Sequence, residues 1–178
     1  MPTGDERKEK VAIREEREGD RQGVRRVNEA AFGQPAEADL VEALRAHSAV
    51  TVSLVAEVDG QIVGHILFSP VSISEAGEKI EIAGLAPMAV IPSHQRQRIG
   101  SLLVKQGLED CRRAGVQAVV VLGHPDYYPR FGFRRASAFR LRCEFDAPDE
   151  AFMALELVPN VLSGNAGVIR YHPVFKNV

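Results

Sequence analysis

The sequence predicts an α/β domain in the α+β sense: one mixed, mostly antiparallel sheet of about seven strands, flanked by about four helices. Three observations carry this. Between Val50 and Ile91, alternating apolar runs are joined by turn residues, the mark of successive antiparallel strands. An amphipathic helical pattern follows at once. After it comes Ala118-Val119-Val120-Val121-Leu122, an all-apolar run of the kind buried on both faces of a sheet and often paired parallel to its neighbour.

The elements follow in order. Residues 1–10 are polar and charged and are expected to form a flexible start; residues 11–178 are expected to form a single domain, with 159–178 an irregular tail. Val11 to Glu18 is a weak first strand. Asp20 suits an N-cap, and Val24, Val27, Ala30 and Ala31 recur at helical spacing up to Gly33. A second helix after Pro35 carries Leu40, Val41 and Leu44. Val52 to Val58 alternates, Asp59-Gly60 is a hairpin turn, and Gln61 to Ser74 returns with Ile62, Gly64, Ile66 and Phe68 on one face. A turn around Ala76-Gly77 leads into a strand from Lys79 to Ile91. Leu103, Val104, Gly107, Leu108, Cys111 and Ala114 then share one helix face, closed by Gly115. A short helix is expected over Asp126 to Phe131, a strand from Phe133 through Phe145, and a last strand over Ala151 to Val158.

Composition narrows the function classes. The chain has 178 residues, 45% hydrophobic and 26% charged, enough for a substantial core. A formal net charge of -2 gives no global attraction to nucleic acid or anionic membrane. Cys111 and Cys143 form no metal or redox motif and read as free thiols of a reducing compartment. No leader-like apolar segment or membrane-length run is present, so a cytoplasmic location is expected.

The chemistry is expected between Met88 and Leu103. There a buried strand ends at Pro92, crosses a polar loop and turns at Gly100 into a helix, whose first N–H groups and dipole favour anions. Pro87 interrupts the strand before that loop. Proline has no N–H for a ladder, so the strand either bulges and splays there, leaving backbone groups for an extended ligand, or is a simple edge.

On these residues the chain resembles the GNAT superfamily of acyl-CoA-dependent N-acetyltransferases. Gln95-Arg96-Gln97-Arg98-Ile99-Gly100 occupies the family's loop signature, and Tyr128-Pro129-Arg130-Phe131-Gly132-Phe133 meets its second mark, a Tyr four residues before Gly-Phe. The order of elements fits from about Val11 to Phe145. The resemblance implies a GNAT-like sheet splayed at an acyl-CoA site, and acetyl-CoA as acyl donor with no metal. Backbone N–H groups of the loop, from about Arg96 through Gln97, Arg98, Ile99 and Gly100 to Ser101, would hold the diphosphate, with Gln95 shaping the loop. Met88, Ala89 and Val90 would pair with the pantetheine arm, Met88 or a later N–H polarising the thioester carbonyl. Tyr128 would protonate the departing thiolate, while its neighbour Tyr127 packs or lines the pocket. Arg98 stands where the signature has its first glycine. With positive φ it would be strained and could obstruct the phosphate; near the helical region, which is the expectation, it would add a charge-assisted contact.

For the base, His124 and Glu81 are candidates beside a water relay with no dedicated residue. The implied activity is acetyl transfer to a primary amine of a small molecule or peptide, by direct attack in a ternary complex. A non-catalytic acyl-CoA-binding or regulatory domain is the alternative. Glu144, Asp146, Asp149, Glu150 and Glu156 would suit a cationic acceptor, though a solvated face is the plainer reading. The late strands offer a surface for a homodimer.

Overall fold

The computed structural model describes residues 9–74 and 77–178. Most of the expected flexible start lies outside the described residues, as does the first residue of the turn at Ala76-Gly77. The strands are β1 (Val11–Glu15), β2 (Val52–Val58), β3 (Gln61–Ile73), β4 (Ile82–Val90), β5 (Ala118–Leu122), β6 (Arg134–Arg135), β7 (Leu141–Cys143), β8 (Phe152–Glu156) and β9 (Gly167–Arg170). They form one mixed sheet in the order β1-β2-β3-β4-β5-β8-β6, with β9 joining β3 to β7. Among the described residues only β4–β5 and β7–β9 pair parallel. The α-helices among the described residues are α1 (Arg21–Phe32), α2 (Ala36–Ala46) and α3 (Ile99–Arg113).

The sheet is filled from both faces. On one, α1 and α2 pack Val24, Val27, Leu40 and Leu44 against Val55 and Leu67. On the other, α3 sets Ile99, Leu103 and Cys111 against Leu54, Phe68 and Val119. Gly107 makes this second seat possible, because a Cβ there would lie 2.4 Å from Phe68 Cε2. The helix can therefore lie directly on the Phe68 ring, and that fixes the height of its N-terminus over the end of β4.

Five expectations are corrected. The fourth helix is a 3₁₀ turn, Tyr128–Phe131, stopped by Gly132 at φ 98°. The strand from Phe133 to Phe145 is split by a second 3₁₀ turn and by Arg140, whose left-handed φ of 58° breaks the alternation. The tail contains β9, which takes over pairing with Ser72 and Ile73 beyond the last β2 partner at Phe68. Asp20 makes no side-chain cap: its carboxylate is held by Arg14 at 2.7 and 2.9 Å and by the Arg17 N–H. The register of β3 slips at Ala56/Glu57, which sends Ile62 to the α1 side with Leu67 rather than beside Gly64.

Under α1 runs a buried polar chain that periodicity does not announce. Ser53 Oγ donates to Glu16, and His65 Nε2 lies 2.9 Å from Ser53 Oγ. Asn28 Nδ2 donates to Val24 C=O at 3.0 Å and lies 3.2 Å from His65 Nδ1. These contacts assign the proton to Nε2 and leave Nδ1 the acceptor. Burial pushes the His65 pKa down, so the ring is neutral when folded and takes up a proton more readily when unfolded. The proton-poor form is thus favoured by folding, and stability is lost as pH falls below the unfolded imidazole value. Glu16 adds to the loss at lower pH: burial pushes its pKa up, but the His65 imidazole 3.6 Å away, the hydrogen bond from Ser53 and the charge of Arg45 bring it below the ordinary carboxylate value. The expected result is a Tm that drops by at least about 2–4 °C, the equivalent of about 1 kcal/mol, between about pH 7 and 5. In His65→Gln, which does not titrate, thermal unfolding monitored by circular dichroism should show that limb flattened.

Candidate functional site

The parallel pair opens where the chemistry was expected. β4 follows β5 only from Ile82↔Ala118 to Leu85↔Val121. Beyond that, Ala86 and Pro87 bulge opposite Leu67, since Phe68 pairs with Leu85 and Ile66 with Met88. Proline's missing N–H makes this the natural place to interrupt the ladder. Met88, Ala89 and Val90 stay on β3 but have no β5 partner.

The direction of their backbone groups follows from one hydrogen bond. Ile91 N–H donates to Val63 C=O at 2.9 Å, and along an antiparallel strand successive residues turn their N–H groups to alternate sides. The N–H of Ala89 therefore faces β3, whereas those of Met88 and Val90 face the gap left by β5. Gln95 Nε2 reaches back to Val90 C=O at 2.9 Å, pinning the loop to the strand end.

The loop itself is strained. Arg96 and Arg98 both adopt left-handed backbone, at φ 62° and 65°. The expectation that Arg98 sits near the helical region is thus overturned, and the residue bears a cost of ~1 to 2 kcal/mol. Its conformation has a use: a left-handed residue followed by helical Ile99 gathers successive N–H groups into a concavity of the kind that binds anions. The first α3 hydrogen bond runs from Leu102 N–H to Arg98 C=O at 3.0 Å, so the N–H groups of Ile99, Gly100 and Ser101 have no acceptor within the helix. Gly100 leaves the approach open between Tyr127 Oη and Met88 Sδ, 3.1 and 3.6 Å from where a Cβ would sit.

These features border a cleft of about 800 Å³. Of the residues expected at a site, Met88, Ala89, Val90, Gln95, Arg96, Arg98, Ile99, Gly100, Ser101, His124 and Tyr128 line it. Gln97 does not; its amide turns to Ser93 C=O at 3.3 Å. Glu81 is not brought to the cleft either. It lies before the far end of β4, roughly 20 Å of strand from Met88, exposed and 3.8 Å from Lys79. None of the late acidic residues lines the cleft. Glu144 accepts the Tyr171 N–H, Glu156 the Leu162 N–H, and Asp149 pairs with Arg135.

The cleft also holds residues the sequence reading passed over. Ala31 and Phe32 bring the end of α1 to its wall, and Asp126 is the acidic group on its rim. Arg96, Arg98 and Arg130 line it without a carboxylate partner among the described residues, giving it a positive field around the loop. Nothing in helical or strand periodicity marks Phe32 as a wall residue; only its place at the helix end, before Gly33, gives a hint.

Tyr128 is buried at 7% exposure, edge-on to Tyr127 and Phe133. A Cβ at Gly123 would lie 2.4 Å from its ring, so the turn after β5 clamps the phenol from behind. Burial raises its pKa, keeping it protonated throughout the neutral range.

A strand pair opened at a bulge, with an anion-shaped loop feeding the helix between them, defines an acyl-group transferase site, and the chain belongs to the GNAT family of acetyltransferases: residues 12–136 match the family described as acetyltransferase (GNAT) domain. Over 166 residues, 93% of this chain and 98% of the relative, it is 38% identical to uncharacterized N-acetyltransferase YhbS of Escherichia coli K12. The crystal structure of E. coli YhbS in complex with CoA superimposes with a TM-score of 0.89 at 37% identity, covering 94% of this chain and 93% of that one. A GNAT family acetyltransferase of Brucella melitensis, in complex with acetyl-CoA, superimposes with a TM-score of 0.78 at 38% identity, over 94% and 99%. No helix among the described residues is long and apolar enough to cross a membrane.

Proposed function

We propose that the chain transfers an acetyl group from acetyl-CoA to a primary amine by direct attack within the cleft. The observation that carries this reading is the opened end of β4, where the N–H groups of Met88 and Val90 face a gap bordered by the anion-shaped loop. The complexes of the two similar proteins with CoA and acetyl-CoA support it.

The residues divide the work as follows. The N–H groups of Ile99, Gly100 and Ser101 bind the diphosphate, with Arg96 and Arg98 adding charge. Val90 holds the pantetheine arm as a neighbouring strand would. Met88 N–H stabilises the oxygen of the thioester carbonyl as negative charge develops there. The amine forms its bond to carbon, the carbon–sulfur bond breaks, and the electron pair leaves on sulfur. Tyr128 donates a hydrogen bond to that sulfur. Because burial holds the phenol above a thiol's ~8.5, complete proton transfer would run uphill, and hydrogen-bond donation is the larger part of its role. The amine's proton goes to His124 directly or through water: His94, the other imidazole of the cleft, is engaged by Ser93 Oγ at 2.9 Å.

The reading is tested by following thiol release from acetyl-CoA across a broad panel of primary amines. Turnover with at least one, giving the N-acetyl product, supports it; tight CoA binding with no transfer to any amine would favour a binding or regulatory domain. Arg98→Gly is a second check. Relief of the left-handed backbone should raise stability by about 1 kcal/mol, while loss of the guanidinium weakens acetyl-CoA binding by about tenfold or more. Thermal unfolding and titration calorimetry on one sample read both signs.

A further inference from the structure

Tyr127 lies against the anion-shaped loop without a part in the scheme above. Its hydroxyl stands over the first turn of α3, 3.3 Å from Ser101 Oγ, and within 3.1 Å of the empty Cβ position of Gly100. The ring is fixed from several directions. Tyr128 and Phe131 meet it edge-on at centroid distances of 5.1 and 5.3 Å. The Arg130 guanidinium stacks 4.5 Å above its centroid, and Arg130 Nε donates to the Tyr127 C=O at 2.9 Å.

Two hydroxyls share one long hydrogen bond beside backbone N–H groups that can only donate. An anionic oxygen placed between them would accept from both hydroxyls and from the helix N–H groups together. The guanidinium, tied to Tyr127 through its Nε, would add its charge from the side. We infer that Tyr127 and Ser101 form a two-hydroxyl clamp on the diphosphate of the acyl-CoA, and that this clamp, with Arg130 over the ring, is how the enzyme prefers a phosphorylated donor to a bare thioester. The inference rests on the acyl-CoA reading of the cleft.

The test compares two donors, acetyl-CoA and S-acetyl-N-acetylcysteamine, which carries the thioester without phosphate. Tyr127→Phe keeps the ring and its stack and removes only the hydroxyl. The ratio of kcat/KM for acetyl-CoA to that for the short thioester should fall by about tenfold, through KM for acetyl-CoA, with the calorimetric Kd for CoA rising by the same factor. Ser101→Ala should lower the ratio in the same direction. An equal loss with both donors, or an unchanged Kd in a variant with wild-type Tm, overturns the clamp. Wild-type protein that fails to bind CoA overturns the acyl-CoA reading before any variant is made, so the two failures are distinguishable.

Discussion

Replacing Tyr128 by Phe should lower kcat for acetyl transfer by about 10²- to 10³-fold, the usual cost of removing one preorganised donor to a developing charge. The ring is buried among Tyr127, Phe133 and the Gly123 turn, and Phe preserves those contacts. KM for acetyl-CoA should change little, because the hydroxyl is assigned to the sulfur only as it leaves. The loss should be smaller for a thioester whose thiol is more acidic, since a better leaving group needs the hydrogen bond less. Steady-state kinetics with donors of graded thiol acidity measures this, and a variant with wild-type kcat would remove Tyr128 from the mechanism.

Phe68→Ala should destabilise the fold by about 3–5 kcal/mol, the range for truncating a fully buried Phe. Phe68 has no exposed surface and lies beneath Gly107, so the cavity opens directly under α3. At about 2–4 °C per kcal/mol, the midpoint should fall by roughly 10 °C. The helix that loses this support also carries the Ile99 to Ser101 N–H groups, so CoA binding should weaken together with stability. A midpoint within about 2 °C of wild type would show that α3 is seated by other contacts.

The parts legible in the sequence were those with a local cause. The Asp59-Gly60 turn, the apolar β5 run, the face of α3 and the interruption at Pro87 each follow from residue chemistry within a few positions, and the family signature stood in the same stretch. What escaped depended on distant partners. Asp20 looks like a cap until Arg14 is seen to hold it, β9 has no pattern of its own and exists because β3 outruns β2, and Glu81 falls just before β4, at the end of the strand away from the cleft. Arg98 shows the limit most plainly. Its residue type argues against a left-handed backbone, yet the structure adopts one where the loop turns into α3.

On the proposed function, this loop and the opened end of β4 together hold acyl-CoA. A crystal structure of the protein with acetyl-CoA tests it most directly. The diphosphate oxygens should lie within hydrogen-bond distance of the Ile99, Gly100 and Ser101 N–H groups, with the thioester carbonyl facing Met88 N–H. Acetyl-CoA seated elsewhere, or with its phosphates away from that turn, would contradict it.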